Sequence, residues 1–120
     1  MRAVGLRSFG GPDVLTVLDV PVPEPRPGEA LIKVLFAGVN FIDTYHRSGL
    51  YPLGDFPIRL GQEGAGVVEA VGSNVTHLKP GDRVAYGNGV GGSYAQALNA
   101  PASRLVKLPN GIADDVAAAS

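Results

Sequence analysis

The sequence predicts a mainly β domain in which several short strands close into a barrel. Seventeen glycines and ten prolines interrupt the chain at short intervals, leaving pieces too short for ordinary helices but suited to strands. Between these breaks the apolar runs are rich in β-branched and aromatic residues, which fit a pleated, half-buried surface. At 120 residues, 45% hydrophobic and 18% charged, the chain has room for one core and is too apolar to stay disordered.

In chain order, strands are expected over residues 2–7, 15–20, 30–39, 65–71, 83–86, 93–99 and 105–107. Between the second and third, prolines alternate at Pro21, Pro23, Pro25 and Pro27. They fix φ and remove amide donors, so this piece reads as an extended surface connector and not as a ladder strand. A proline-rich ligand for an aromatic groove is the sharper alternative. Side chains alternate along a strand, so Ile32, Val34 and Phe36 share a face, and Asn40 falls on that inward side if the pleat continues. An inward amide needs a partner: backbone, water or a ligand.

The stretch from Asn40 to Pro52 sets polar and aromatic groups directly after this apolar strand, and chemistry is expected there. His46 lies near Asp43 and Tyr45, which invites an acid and base assignment. Neighbours in a short helical turn point in different directions, however, and a partly exposed structural histidine is the preferred reading. His77 reads as a surface loop residue. Gly61-Gln62-Glu63-Gly64-Ala65-Gly66 places an amide and a carboxylate among glycines, where backbone can approach another strand or a ligand. A general base is the sharper reading of Glu63; a carboxylate held by a backbone or arginine partner at a barrel mouth is preferred, and no catalytic role is given to it.

Lys79-Pro80-Gly81-Asp82-Arg83 reads as a structural corner, fixed by the Asp82 and Arg83 side chains. Gly87-Asn88-Gly89-Val90-Gly91-Gly92 matches the G-x-G-x-x-G pattern. A dinucleotide fingerprint also needs a helix opening on the glycines and an acidic residue about 20 positions on. Here Pro101 follows and Lys107 holds that position, so a loop between two strands is preferred, one that can still lie beside a ligand. Pro109-Asn110-Gly111 reads as a turn. Residues 112–120 read as the opening of a helix, with Asp114 and Asp115 in its first turn. An alanine-rich turn with nothing to pack on is marginal, so a truncated polypeptide is expected, with the domain at 1–111.

Composition removes several function classes. The net charge is −1 and the ten Lys and Arg are scattered, so no nucleic-acid partner is expected. There is no cysteine, and His46 and His77 are the only imidazoles, so no metal site is expected. No signal core or membrane-length apolar run occurs, and a cytoplasmic protein is expected.

The order of motifs is also informative: Gly10-Gly11-Pro12, Val39-Asn40-Phe41-Ile42-Asp43, Gly61-Gln62-Glu63-Gly64-Ala65-Gly66, Gly81-Asp82-Arg83-Val84 and Gly92-Ser93-Tyr94-Ala95. It resembles the zinc-free, zeta-crystallin-like NADPH:quinone oxidoreductases of the medium-chain dehydrogenase/reductase superfamily, over nearly the whole chain. The resemblance implies a GroES-like, partly open β-barrel with short helical turns, followed in the family by a Rossmann domain that these 120 residues do not include. The superfamily's zinc enzymes carry a cysteine at the place of Asn40 and a histidine at that of Gln62, so both positions depart from the metal pattern.

The resemblance further implies hydride transfer from NADPH to a small-molecule quinone by a full-length protein, likened to homodimers, with the 120 residues alone inactive. Phe41, Ile42, Asp43, Thr44 and Tyr45 would contact the nicotinamide end of NADPH. Asn40 and Tyr51 would face the quinone, Tyr51 donating to the reduced oxygen and Asn40 orienting a ring. Two alternatives stand beside this one: a zinc-free enone or enoyl reductase of the same superfamily, and a non-enzymatic GroES-like binding module.

Overall fold

A computed structural model describes residues 1–50, 54, 56–87 and 90–118. In chain order the elements are β1 (Arg2–Leu6), β2 (Thr16–Asp19), β3 (Glu29–Gly38), α1 (Phe41–Ser48), β4 (Ile58–Arg59), β5 (Glu63–Val71), β6 (Arg83–Tyr86), β7 (Ala97–Pro101), β8 (Val106–Lys107) and α2 (Asp114–Ala118). All pairings are antiparallel, in a three-stranded sheet ordered β2-β1-β4 and a five-stranded sheet ordered β7-β3-β5-β6-β8. The expected mainly β architecture is present.

Residues 94–96 join the two sheets. Val4 N–H donates to the Tyr94 carbonyl at 2.7 Å, Gln96 N–H to the Arg2 carbonyl at 3.2 Å, and Val34 N–H to the Gln96 carbonyl at 3.0 Å. Ala3 and Ala95 form an isolated bridge. The segment therefore ties β1 to β3, and the two sheets make a partly open barrel. This crossing explains why the strand expected at 93–99 is found at Ala97–Pro101: its first residues pair with the other sheet. β4 was not anticipated, because two residues are too short to show a period of two.

The main core is the inner face of the larger sheet, where Ile32, Val68, Val84 and Leu98 are at most 2% exposed and Leu78 and Leu105 join the same cluster. Burying each such side chain contributes roughly 1.5–3 kcal/mol. Phe36 does not join them. The β3–β5 register shifts between Leu31 and Ile32 and again between Val34 and Phe36, and each irregularity resets the in-and-out alternation. Phe36 is 48% exposed as a result. The close approach expected at the glycines of β5 is to a strand: a Cβ on Gly66 would lie 2.1 Å from the Lys33 carbonyl oxygen.

Other expectations are refined at the edges. Asp82 does fix its corner, accepting from Lys79 N–H at 3.0 Å. Arg83 instead reaches α2, donating from Nε to Asp114 Oδ1 at 2.9 Å and from a terminal nitrogen to the Ile112 carbonyl. That helix packs on β3, β5 and β6 and buries Ala118, so it has the support that the sequence did not reveal. The proline-rich connector carries no strand and is tied to β7 by Asn99 Nδ2 donating to the Glu24 carbonyl at 2.6 Å. A second apolar cluster is formed by Leu6, Ile58 and Leu60, with Tyr94 and Val14 packed against it.

Candidate functional site

The stretch that follows β3 is an eight-residue helix, longer than the helical turn expected around His46. Asn40 is its N-cap, with extended backbone at φ −130° and ψ 155°. Asp43 stands three residues on. Its N–H donates to the Asn40 carbonyl at 3.0 Å, and its Oδ2 accepts from the Asn40 N–H at 3.0 Å. An acidic side chain in the first turn also meets the positive end of the helix dipole. The Asn40 backbone thus finds its partner in Asp43.

The other end stops at Gly49, whose φ of 88° is left-handed and whose N–H donates to the Tyr45 carbonyl at 3.1 Å. A Cβ there would also come within 2.9 Å of the Phe9 ring, which itself meets Phe56 edge-on with centroids 4.8 Å apart. Gly10 and Arg47 exchange two bonds, Gly10 N–H to the Arg47 carbonyl at 3.1 Å and Arg47 Nε to the Gly10 carbonyl at 3.2 Å. The C-terminal end of α1 is therefore fixed to the segment that follows β1.

Helical geometry divides the five residues expected to touch cofactor. Asp43 and His46, three apart on the inner face, are 6% and 5% exposed. Phe41 is 85% exposed, and Ile42 and Tyr45 also face outward. Thr44 is half-buried, its Oγ1 donating to the Phe41 carbonyl at 2.6 Å. His46 is thus a buried histidine and not the partly exposed one expected; its Nδ1 has no hydrogen-bond partner. Tyr51 lies outside the described residues.

Asp43 also makes a side-chain contact far along the chain. Its Oδ2 accepts the Tyr94 hydroxyl at 2.5 Å. Tyr94 is itself held by main chain, accepting from Val4 and donating its N–H to the Leu60 carbonyl at 3.1 Å. Burial raises the Tyr94 phenol above its ordinary range, helped by the Asp43 bond and charge and by the charge of Glu63. Glu63 approaches from β5: a Cβ on Gly38 would lie 2.2 Å from Glu63 Oε1. Sequence reading quoted Tyr94 within a motif but gave it no role; nothing local marks a side chain whose partner is 51 residues away.

A cavity of about 260 Å³ opens beside the start of the helix, lined by Leu15, Val39, Asn40, Asp43, Thr44 and Tyr94 among others. An apolar wall with a few convergent polar groups is the usual form of a small-molecule site. The glycine segment does not open a helix among its described residues: Gly92, at φ 83°, donates to the Gly61 carbonyl at 3.0 Å and leads into the crossing at 94–96. Among the described residues no three His, Asp or Glu side chains converge to hold a metal, and no helix is long and apolar enough to cross a membrane.

A partly open antiparallel barrel with a capped helix at its mouth defines a GroES-like domain. The chain belongs to the alcohol dehydrogenase GroES-like domain family, whose sequence profile matches residues 26–110. Among curated proteins it is 48% identical over 118 residues to a quinone oxidoreductase of Pseudomonas aeruginosa, a match covering 98% of this chain and 36% of the relative. It is 43% identical over 120 residues to a 2-haloacrylate reductase of a Burkholderia species, covering 97% and 36%. Among solved structures, Escherichia coli quinone oxidoreductase complexed with NADPH superposes with a TM-score of 0.96 at 41% identity, covering 100% of this chain and 37% of that one. The chain thus spans about a third of the length of the relatives it matches.

Proposed function

We propose that the chain supplies the substrate-side half of an NADPH-dependent quinone reductase that works without a metal ion, as a homodimeric cytoplasmic enzyme. The observation that carries this reading is Asn40, held as the N-cap of α1 at the rim of a largely apolar cavity, beside the exposed Phe41 and Tyr45. The similarity to quinone oxidoreductases supports it.

The nicotinamide end of NADPH fits these residues. It is flat, with a polar carboxamide, and the outward face of Phe41, Ile42 and Tyr45 offers apolar cover while Asn40 and Thr44 offer polar contacts. When bound, NADPH supplies the hydride. Its phosphates find no helix N-terminus among the described residues of the glycine segment, and they are assigned to the portion of the relatives that this chain does not span. Asp43, buried behind its neighbours, supports this face from within.

A quinone accepts hydride readily, so the protein has to orient it and to place donors near the developing oxyanion. Asn40 orients the ring, and Tyr51 donates a hydrogen bond to the reduced oxygen. Where the zinc enzymes of the resemblance carry cysteine and histidine, Asn40 and Gln62 offer neutral amides, which are poor zinc ligands. The chemistry therefore proceeds by orientation and hydrogen bonding.

NADPH oxidation with a simple quinone tests the reading, run on these 120 residues and on the longest product of the same gene. Turnover is expected only in the longer protein. Turnover by the 120 residues alone, or by neither, removes it. The likeness to a 2-haloacrylate reductase favours one second reading, reduction of an activated carbon–carbon double bond; a higher kcat/KM for an enone or haloacrylate than for any quinone selects it.

A further inference from the structure

We propose that Tyr94 is a positioning residue of this reductase site, acting through Asp43 to hold Asn40 in its working orientation; the inference rests on the function proposed above. A single oxygen, Asp43 Oδ2, receives both the Asn40 N–H at 3.0 Å and the Tyr94 hydroxyl at 2.5 Å. The other carboxylate oxygen is buried and has no hydrogen-bond partner. Asp43 is 6% exposed, so water does not freely replace a lost donor. A buried carboxylate needs its donors, and these two are the pair the structure provides.

The geometry makes Tyr94 the fixed end of this chain of contacts. Its main chain is bonded to Val4 and to Leu60, and its ring packs on Leu6, Ile58 and Leu60. Its hydroxyl therefore presents a donor from the rigid barrel, and Asp43 passes that position to the residue that begins α1. Asn40 and Tyr94 also line the same cavity. Removing the hydroxyl leaves the carboxylate with one donor, free to turn about its side-chain bonds and to carry the Asn40 backbone with it. Small displacements of an orienting group are felt in turnover.

The test is a double-mutant cycle on the longest gene product: Tyr94→Phe, Asn40→Ala and the pair, with kcat for a simple quinone and the thermal midpoint measured for each. Tyr94→Phe is expected to lower kcat about tenfold in the native background, and less than about twofold once Asn40 is alanine, since a positioning residue loses its object. Should Tyr94→Phe fold poorly, the same cycle with Asp43→Asn takes its place. Tyr86→Phe removes a buried hydroxyl that has no partner and is expected to leave kcat unchanged. Equal losses in both Asn40 backgrounds, or an unchanged kcat in Tyr94→Phe, overturn the positioning role while leaving the functional reading intact. A parent protein inactive towards quinones and enones removes both.

Discussion

The Tyr94 hydroxyl and Asp43 Oδ2 meet at 2.5 Å across 51 residues of chain, joining the crossing between the two sheets to the first turn of α1. The same oxygen caps the helix by accepting from Asn40. One carboxylate thus serves local structure and long-range register together. A helix of eight residues has little stability of its own, and its docking depends on such contacts.

Asp43→Ala is expected to destabilise the fold by about 1–3 kcal/mol, the cost of losing a cap and leaving the half-buried Tyr94 hydroxyl without its acceptor. Chemical denaturation of the variant and the parent measures it. A loss below about 0.5 kcal/mol, the usual range for surface changes, means that Asp43 is not the link described.

Alkaline pH acts on two phenols, Tyr86 buried and Tyr94 half-buried. Burial raises Tyr86 and Tyr94 above the ordinary tyrosine value of 10.0. Below that value both states keep the proton and the stability is whole. As pH climbs from there toward the raised folded values, the unfolded chain releases protons that the folded chain holds, so stability falls. For Tyr86 the slope reaches about 1.4 kcal/mol per pH unit. Tyr86→Phe is expected to flatten the decline above pH 10, with little change at neutral pH, because its hydroxyl has no partner to lose. Denaturation midpoints on either side of pH 10 read this directly, and parallel curves for parent and variant refute it.

Gly61 stands at φ 103°, and a Cβ on it would lie 2.1 Å from Ser93 Oγ and 2.8 Å from the Tyr94 nitrogen. Gly61→Ala therefore combines left-handed strain of about 1–3 kcal/mol with a clash against the main chain that holds Tyr94. A destabilisation above about 3 kcal/mol is expected in thermal or chemical unfolding. The Gly28→Ala variant is the comparison, since it shares the positive φ but meets nothing within 4 Å among the described residues; equal losses in the two rule out the clash.

Local chemistry made most strands legible. The β-branched runs bounded by glycine and proline gave β1, β3, β5 and β6 nearly to the residue. The helix after Asn40 was also written locally, as an N-cap asparagine, an acidic residue three on and a terminal Gly49, but its aromatic content drew attention to chemistry first. What escaped has no local signature. β4 is two residues long, the strand expected at 93–99 changes sheets, and Phe36 is turned outward by irregularities set by its partner strand. Asp43 and Tyr94 are each ordinary in sequence, and only tertiary proximity pairs them.

Asn40→Ala and Tyr51→Phe in the longest gene product test the proposed chemistry itself. Asn40 is the cap of α1, so its replacement by alanine also costs about 0.5–2 kcal/mol of stability. Activity is therefore to be compared at a temperature where both proteins are folded. With that control, removing a group that orients the acceptor is expected to lower kcat about ten- to a hundredfold, with KM for NADPH nearly unchanged. Asn40→Asp separates the two roles, because aspartate caps a helix as well as asparagine does but places a negative charge where an oxyanion develops. It is expected to restore the thermal midpoint and not the turnover. Tyr51→Phe is expected to lower kcat more for quinones whose reduced oxygen is the stronger base, since these depend most on a proton donor. Unchanged kinetics in both Asn40→Ala and Tyr51→Phe remove the two residues from the mechanism, whereas recovery of activity in Asn40→Asp reduces Asn40 to a cap.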